Sequence, residues 1–167
     1  MENILQKKKQ VFLSEKTFVP SDDLRLRVTA SNYAYLRITE GCSNHCSYCT
    51  IPQIRGEMRS KLPLQIFEEA KILVKDGAKE LIVIGQDTAN YGKDLSPKKD
   101  LYSIVEELSK LEELHWIRIM YMHPGHFSEN FFALFSLPKV VPYLEIPIQH
   151  VSTRILQLMG RNTSKES

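Results

Sequence analysis

The sequence lacks the long apolar runs that mark membrane proteins and exported proteins. Its longest uninterrupted apolar stretch is Phe131–Phe135, far short of the roughly 20 residues that span a bilayer. The first residues, Met1-Glu2-Asn3, do not begin a basic region followed by an apolar stretch, which is the pattern of a secretory signal peptide. We therefore expect a cytoplasmic location and no membrane partner.

The sequence also lacks a strong charge of either sign. Its formal net charge is +2 over 167 residues, so no global field marks it as a nucleic-acid binder. The apolar share of 43% and the charged share of 25% are ordinary for a globular domain with a single core. Composition therefore predicts a compact domain and leaves its chemistry open.

Cysteine is scarce, and its distribution is informative. The three cysteines, Cys42, Cys46 and Cys49, all lie within one short segment. An odd and tightly spaced set is a poor disulfide framework, because short loops strain the bridge geometry. Clustered thiols in a cytoplasmic chain indicate a metal or an iron–sulfur cluster instead.

The apolar pattern divides the chain into residues 1–30, which we interpret as a linker from an N-terminal domain, and residues 31–167, where strands and helices alternate. Such alternation predicts an α/β fold of parallel βα units, either an open sheet or part of a barrel. Strands are predicted at Tyr33–Thr39, Leu81–Ile84, Trp116–Met122 and Tyr143–Ile148. Helices are predicted at Pro63–Asp76, Leu101–Leu111 and Phe127–Ser136, and from Ser152 to Gly160.

The cysteines have the spacing C-x3-C-x2-C and follow the first predicted strand directly. Three thiolates in one loop suit three irons of a [4Fe–4S] cubane. The fourth iron then offers an open site, which S-adenosylmethionine (SAM) can fill through its amino and carboxylate groups. Two alternatives stay open: a structural zinc site of three cysteines and a histidine such as His45, and three inert buried cysteines.

The cysteine loop, with the aromatic Tyr48 just before the third cysteine, resembles the motif of the radical SAM superfamily. The resemblance implies a partial (β/α)6 TIM barrel in which Cys42, Cys46 and Cys49 hold a [4Fe–4S] cluster that cleaves SAM. It also implies that Tyr48 packs near the cluster and the adenine of SAM.

Further segments narrow the resemblance to the methylthiotransferases. Ile51–Gly56 is similar to their I/V-P-x-x-R-G segment, and Ile146–Ser152 is similar to a second family segment, although Val151 replaces the family glycine. Ile84–Thr88 resembles the RimO group. This implies a transferase that methylthiolates an aspartate of a small-subunit ribosomal protein, with an electron donor such as flavodoxin. A tRNA methylthiotransferase of the MiaB kind is the alternative.

The same resemblance suggests residues that bind the cofactor. Gln86 and Asp87 follow the second predicted strand, where side chains face the mouth of a parallel barrel, and the resemblance places them near the amino group of SAM. Arg55 is expected to pair with a carboxylate, and Gln149 is expected to line the same pocket at the end of the fourth strand. No residue is assigned a catalytic role.

The resemblance covers only the middle of full-length methylthiotransferases. Those enzymes add an N-terminal domain with three more cysteines for a second [4Fe–4S] cluster, and a C-terminal substrate-binding domain. We therefore expect this chain to be a fragment, truncated at both ends, with the second cluster present only in the full-length enzyme.

Overall fold

The computed structural model describes residues 30–128 and 130–164. Within them, three strands form a parallel sheet and two short strands form an antiparallel ribbon. The elements in chain order are β1 (Tyr33–Arg37), β2 (Thr39–Glu40), α1 (Ile51–Arg55), β3 (Arg59–Ser60), α2 (Pro63–Lys75), β4 (Glu80–Ile84), a 3₁₀ helix (Thr88–Asn90), α3 (Leu101–Ser109), β5 (Trp116–Ile119), two 3₁₀ helices (Pro124–His126 and Phe132–Ser136) and α4 (Thr153–Leu158).

The parallel sheet has the strand order β1-β4-β5. Its register aligns Leu36 with Val83, and Val83 with Ile119. All three of these side chains are buried, and β4 is apolar along most of its length because a central parallel strand is covered on both faces. The predicted parallel βα units are confirmed in β1, β4 and β5.

The helix between β1 and β4 is α2, and its bounds follow from local sequence signals. Pro63 occupies the first turn, where a missing N–H costs nothing. The buried face includes Ile66, Ala70 and Leu73, which recur at helical spacing. Gly77 ends the helix with a φ of 95°, a conformation that glycine adopts without strain. The predicted helix over Pro63–Asp76 is confirmed to within one residue.

A short antiparallel ribbon of β2 and β3 carries the two ends of the cysteine-containing segment. Thr39 pairs with Ser60, and Glu40 pairs with Arg59. The sequence predicted one strand over Tyr33–Thr39, but the chain leaves the parallel sheet after Arg37 and pairs with β3 instead. This change of partner directs the loop that follows Glu40 toward the end of the sheet.

The predicted fourth strand at Tyr143–Ile148 is wrong within the described residues. One isolated bridge joins Ile117 to Val140, and further along the N–H of Met122 donates to the carbonyl of Glu145 over 3.3 Å without a ladder forming. Pro142 and Pro147 have no N–H to donate. The N–H of Ile148 bonds locally, to the carbonyl of Ile146 over 3.0 Å, and so makes no ladder contact.

Two other predicted elements are shorter or tighter than expected. The third strand ends at Ile119, two residues before Tyr121, whose φ of 59° cannot continue a strand. The predicted helix at Phe127–Ser136 is a 3₁₀ helix over Phe132–Ser136. Residue 129 lies outside the described residues.

The predicted linker, residues 1–30, lies outside the described residues except for Ala30 and stays a prediction. The expected truncation of the barrel also stays a prediction. None of the helices in the described ranges combines the length and the apolar character that a membrane crossing requires.

Candidate active site

The loop that carries the cysteines begins at a close backbone contact. The N–H of Cys42 donates to the carbonyl of Gly56 over 3.1 Å. A Cβ on Gly41 would lie 2.3 Å from the carbonyl oxygen of Glu57, and Gly41 has a φ of 77°. Only glycine fits there, so the glycine before the first cysteine closes the base of the loop.

An ion-pair network on Glu40 reinforces this base. Its carboxylate oxygens accept hydrogen bonds from Arg37 over 2.5 Å and from Arg55 over 2.7 Å. Burial alone would raise the pKa of Glu40, but the hydrogen bonds and charges of Arg55 and Arg37 outweigh it and hold the pKa below its ordinary value. Arg55 thus has the carboxylate partner that the sequence predicted, and its side chain remains about half exposed.

The end of α4 holds the loop from its other side. The N–H of Ser47 donates to the carbonyl of Met159 over 3.0 Å, and its hydroxyl donates to the carbonyl of Leu158 over 3.2 Å. Gly160 has a φ of 67°, and a Cβ there would lie 2.7 Å from the carbonyl oxygen of His45. The cysteine loop is therefore fixed between the β2–β3 ribbon and the last described helix.

A buried arginine strengthens this second contact. The side chain of Arg161 donates to the hydroxyl of Tyr48 over 3.3 Å and to the carbonyl of Pro147 over 2.8 Å. Arg161 is 5% exposed, and its Nε atom has no hydrogen-bond partner in the described residues. Arg161 could not be found from the sequence, because a single arginine after a helix carries no signal of burial.

A pocket of about 440 Å³ opens at the carboxyl ends of the parallel strands. In parallel α/β folds, ligands bind at this edge. Cys42 and Cys49 lie in its wall together with Gln86, so the structure brings together three of the residues that the sequence singled out. The complete lining is Arg37, Cys42, Cys49, Ile51, Ile84, Gly85, Gln86 and Tyr121.

Gln86 offers a free acceptor beside this pocket. Its Oε1 atom is buried and has no hydrogen-bond partner within the described residues. A buried amide oxygen without a donor costs about 1–3 kcal/mol. A ligand N–H or O–H donor would remove this cost once the side chain of Gln86 turned its oxygen toward the pocket.

Asp87 lies behind the pocket wall and is not among the lining residues. It is 1% exposed. Its Oδ2 atom accepts from Asn44 Nδ2 over 3.1 Å and lies 2.5 Å from His126 Nδ1, while Oδ1 accepts from the backbone N–H of His123 over 3.2 Å. The carboxylate is therefore satisfied by the protein itself. No sequence pattern indicates a role for Asn44, His123 or His126.

His123 lies beside this carboxylate and is neutral. Burial lowers its pKa to about 4, and the charge of Arg161 adds to the effect. Its Nδ1 atom accepts from the N–H of Gly125 over 3.1 Å, which leaves the ring proton on Nε2. The His123 ring packs at 4.9 Å from the ring of His126.

The thiol of Cys42 is buried, and burial raises its pKa above the ordinary value. Hydrogen bonds from the backbone and side chain of Asn44 oppose this shift, and the charges of Asp87 and Cys46 add to it. A metal that binds Cys42 must therefore displace a proton from the sulfur.

The donor set fits an iron–sulfur cluster better than a single ion. All three cysteines are free thiols. In the described residues, no group of three His, Cys, Asp or Glu side chains is compact enough to hold one metal ion. A cubane places each thiolate on a different iron, so its ligands surround a space and need not converge on one point. Cys42 and Cys49 lie in the wall of one pocket, which suits this arrangement, whereas Cys46 is not among the residues that line it.

Besides Asp87, three more of the predicted cofactor residues do not line this pocket. Tyr48 bonds to Arg161, Arg55 bonds to Glu40, and Gln149 is exposed with a φ of 62°. The family glycine position, Val151, is not in the left-handed region; the unusual conformation lies two residues earlier, at Gln149. Contacts of Tyr48, Arg55 and Gln149 with a cofactor stay predictions.

The sequence profile of the Radical SAM superfamily matches residues 36–167. The chain belongs to the radical SAM superfamily. Over 163 residues it is 45% identical to the ribosomal protein uS12 methylthiotransferase RimO of Caldicellulosiruptor saccharolyticus. That alignment covers 96% of this chain and 37% of the relative. It is 49% identical over 138 residues to the protein of the same name from Syntrophomonas wolfei, covering 82% of this chain and 31% of the relative. The chain thus spans about a third of the length of these relatives.

Solved structures agree on the fold. The radical SAM methyltransferase TsrM from Kitasatospora setae, solved with cobalamin and a [4Fe–4S] cluster bound, matches with a TM-score of 0.60. The match covers 80% of this chain and 27% of TsrM, at 15% sequence identity. At that identity the likeness shows the fold alone, and it confirms the predicted partial radical SAM barrel.

Proposed function

We propose that this chain is the radical SAM core of a methylthiotransferase that modifies an aspartate of ribosomal protein uS12. The observation that carries the proposal is the pocket of about 440 Å³ at the strand ends, with Cys42, Cys49 and Gln86 in its wall. The 45–49% identity to proteins named uS12 methylthiotransferase supports the choice of substrate.

In this proposal, some residues of the chain hold the cluster and another contacts SAM. Cys42, Cys46 and Cys49 would hold a [4Fe–4S] cluster, which supplies the electron that cleaves the sulfonium bond of SAM. Gln86 would accept a hydrogen bond from the amino group of SAM after its side chain turns toward the pocket, since its Oε1 atom has no partner in the described region. Asp87 acts indirectly in this proposal, because protein donors already satisfy its carboxylate.

The closed base of the loop and its clamp at α4 keep the cysteines in place. Arg55 and Arg37 hold Glu40, and Ser47 bonds to the end of α4. Because the loop is fixed at both ends, the cysteines have less conformational freedom to lose when a cluster binds. The proposed location is the cytoplasm, and the proposed electron donor is a flavodoxin-like protein.

The direct test is a chimera. This chain replaces the matching segment of the Caldicellulosiruptor relative, and the chimera is incubated anaerobically with SAM, a strong reductant, and either ribosomal protein uS12 or tRNA. Mass spectrometry should show a methylthio group on uS12, and Cys42→Ala in the same chimera should abolish it. Modification of tRNA alone would favour the tRNA alternative. Cleavage of SAM with neither substrate modified would contradict the methylthiotransferase assignment.

A further inference from the structure

Hydrogen bonds reach one of the three cysteine sulfurs from behind the pocket. The backbone N–H and the side-chain amide of Asn44 both donate to the sulfur of Cys42, each over 3.5 Å. Within the described residues, the sulfurs of Cys46 and Cys49 accept no hydrogen bond. The three cysteines are therefore not equivalent, and the difference originates at Asn44.

The amide of Asn44 is held in the donating orientation. Its Nδ2 atom lies 3.5 Å from the sulfur of Cys42 and 3.1 Å from Oδ2 of Asp87, so each of its two hydrogens has one acceptor. Asp87 is itself fixed by the side chain of His126 and the backbone N–H of His123. A rotation of the amide would remove a partner from a buried carboxylate and is therefore unfavourable.

We propose that Asn44 is a positioning residue that raises the reduction potential of the cluster held by Cys42, and that Asp87 acts through Asn44 by fixing its amide. The inference rests on the proposed function, because it requires a cluster on Cys42. An N–H donated to a ligand sulfur draws negative charge from it and so stabilises the reduced, more negative cluster.

The alternative is that Asn44 only stabilises the loop. Ser43 provides a matched control, because its hydroxyl oxygen accepts from the backbone N–H of Met58 over 3.1 Å and does not contact a sulfur. Ser43→Ala removes one hydrogen bond of the loop, and Asn44→Ala removes one hydrogen bond of the sulfur. A purely structural role predicts the same potential for both variants.

The test is an anaerobic redox titration of the reconstituted 167-residue chain, followed by electron paramagnetic resonance of the reduced cluster. For Asn44→Ala we expect the ratio of reduced to oxidised cluster at a fixed potential to fall about threefold to tenfold. For one electron this equals a midpoint shift of about 30 to 60 mV toward negative values. Ser43→Ala should titrate like the unmodified chain.

The role of Asp87 is tested by a double-mutant cycle. Asp87→Ala removes the acceptor that fixes the Asn44 amide, and it also removes a negative charge, which by itself raises the potential. In the Asn44→Ala background only this charge effect remains. The shift caused by Asp87→Ala should therefore be more negative in the unmodified background than in Asn44→Ala. Additive shifts would overturn the part of the proposal in which Asp87 acts by fixing the amide of Asn44.

The outcomes separate this inference from the proposed function. If the unmodified chain binds no [4Fe–4S] cluster, the proposed function fails and the inference fails with it. If the cluster forms and Asn44→Ala leaves its potential unchanged, only the inference is overturned. A midpoint potential does not depend on the amount of cluster, so partial loading still gives a value. If neither Asn44→Ala nor the longer amide Asn44→Gln retains any cluster while Ser43→Ala does, Asn44 serves assembly and the proposal is wrong.

Discussion

The guanidinium of Arg161 donates to the hydroxyl of Tyr48 over 3.3 Å, although the two residues lie 113 positions apart in the chain. The same guanidinium donates to the carbonyl of Pro147. One buried side chain therefore joins the cysteine loop, the extended segment before α4 and the turn after it. The geometry of the candidate site therefore depends on the turn after α4 as well as on the cysteine loop itself.

Removal of Arg161 should loosen the cysteine loop. We expect Arg161→Ala to lower the free energy of unfolding by about 1–3 kcal/mol, because the hydroxyl of Tyr48 and the carbonyl of Pro147 each lose a donor. Arg154→Ala is the control, since Arg154 is an exposed residue of α4. Urea denaturation followed by circular dichroism measures both variants. Equal losses for the two would show that the contacts of Arg161 contribute nothing specific.

Gly160 should tolerate alanine less well than Gly77, which also follows the end of a helix. Both have positive φ, at 67° and 95°. A Cβ on Gly160 would lie 2.7 Å from the carbonyl oxygen of His45, whereas the nearest atom to a Cβ on Gly77 is 3.7 Å away. Gly77→Ala should cost about 1 kcal/mol from backbone strain alone.

Gly160→Ala should cost more than Gly77→Ala and should also lower the amount of cluster that the chain retains, because it displaces the backbone of the loop at His45. Thermal denaturation and iron analysis of the two variants compare these effects. Full cluster retention in Gly160→Ala, with a cost equal to that of Gly77→Ala, would show that the contact does not constrain the loop.

His123 should make the fold sensitive to mild acid. Its pKa falls from about 6.5 in the unfolded chain to about 4 in the folded one. A group with a lowered folded pKa stabilises the fold above its unfolded pKa, and this contribution is lost as the pH falls toward the folded pKa. We expect a loss on the order of 3 kcal/mol between pH 6.5 and 4.

The substitution His123→Asn should remove most of this slope, since asparagine keeps an acceptor for the N–H of Gly125 and does not titrate. His115→Asn is the control, because His115 is exposed. Urea denaturation at a series of pH values gives the slope for each variant. An unchanged pH dependence in His123→Asn would assign the acid sensitivity to other groups.

Much of the fold could be predicted because its signals are local. Pro63 and Gly77 delimit α2, and the apolar run at Leu81–Ile84 marks a strand that is buried on both faces. The position of Cys42 and Gln86 at one edge also follows, since the carboxyl ends of parallel strands meet. These features depend on periodicity and on turn chemistry, which a single sequence contains.

The remaining features depend on contacts between distant segments. Asn44 meets Asp87 and Tyr48 meets Arg161 only after the fold forms, and neither asparagine nor arginine carries a pattern that reveals such a contact. The error at Tyr143–Ile148 has a similar origin. Its residues favour a strand, but a strand needs a ladder partner, and Pro142 and Pro147 remove donors from the segment.

The most direct test of the account is iron and acid-labile sulfide analysis of the 167-residue chain after anaerobic reconstitution, with SAM cleavage measured as 5′-deoxyadenosine in the same samples. We predict about four irons and about four sulfides per chain, and loss of both the intact cluster and 5′-deoxyadenosine in Cys42→Ala, Cys46→Ala and Cys49→Ala. Binding of zinc without sulfide, or a complete cluster with SAM cleavage in any one of these variants, would contradict it.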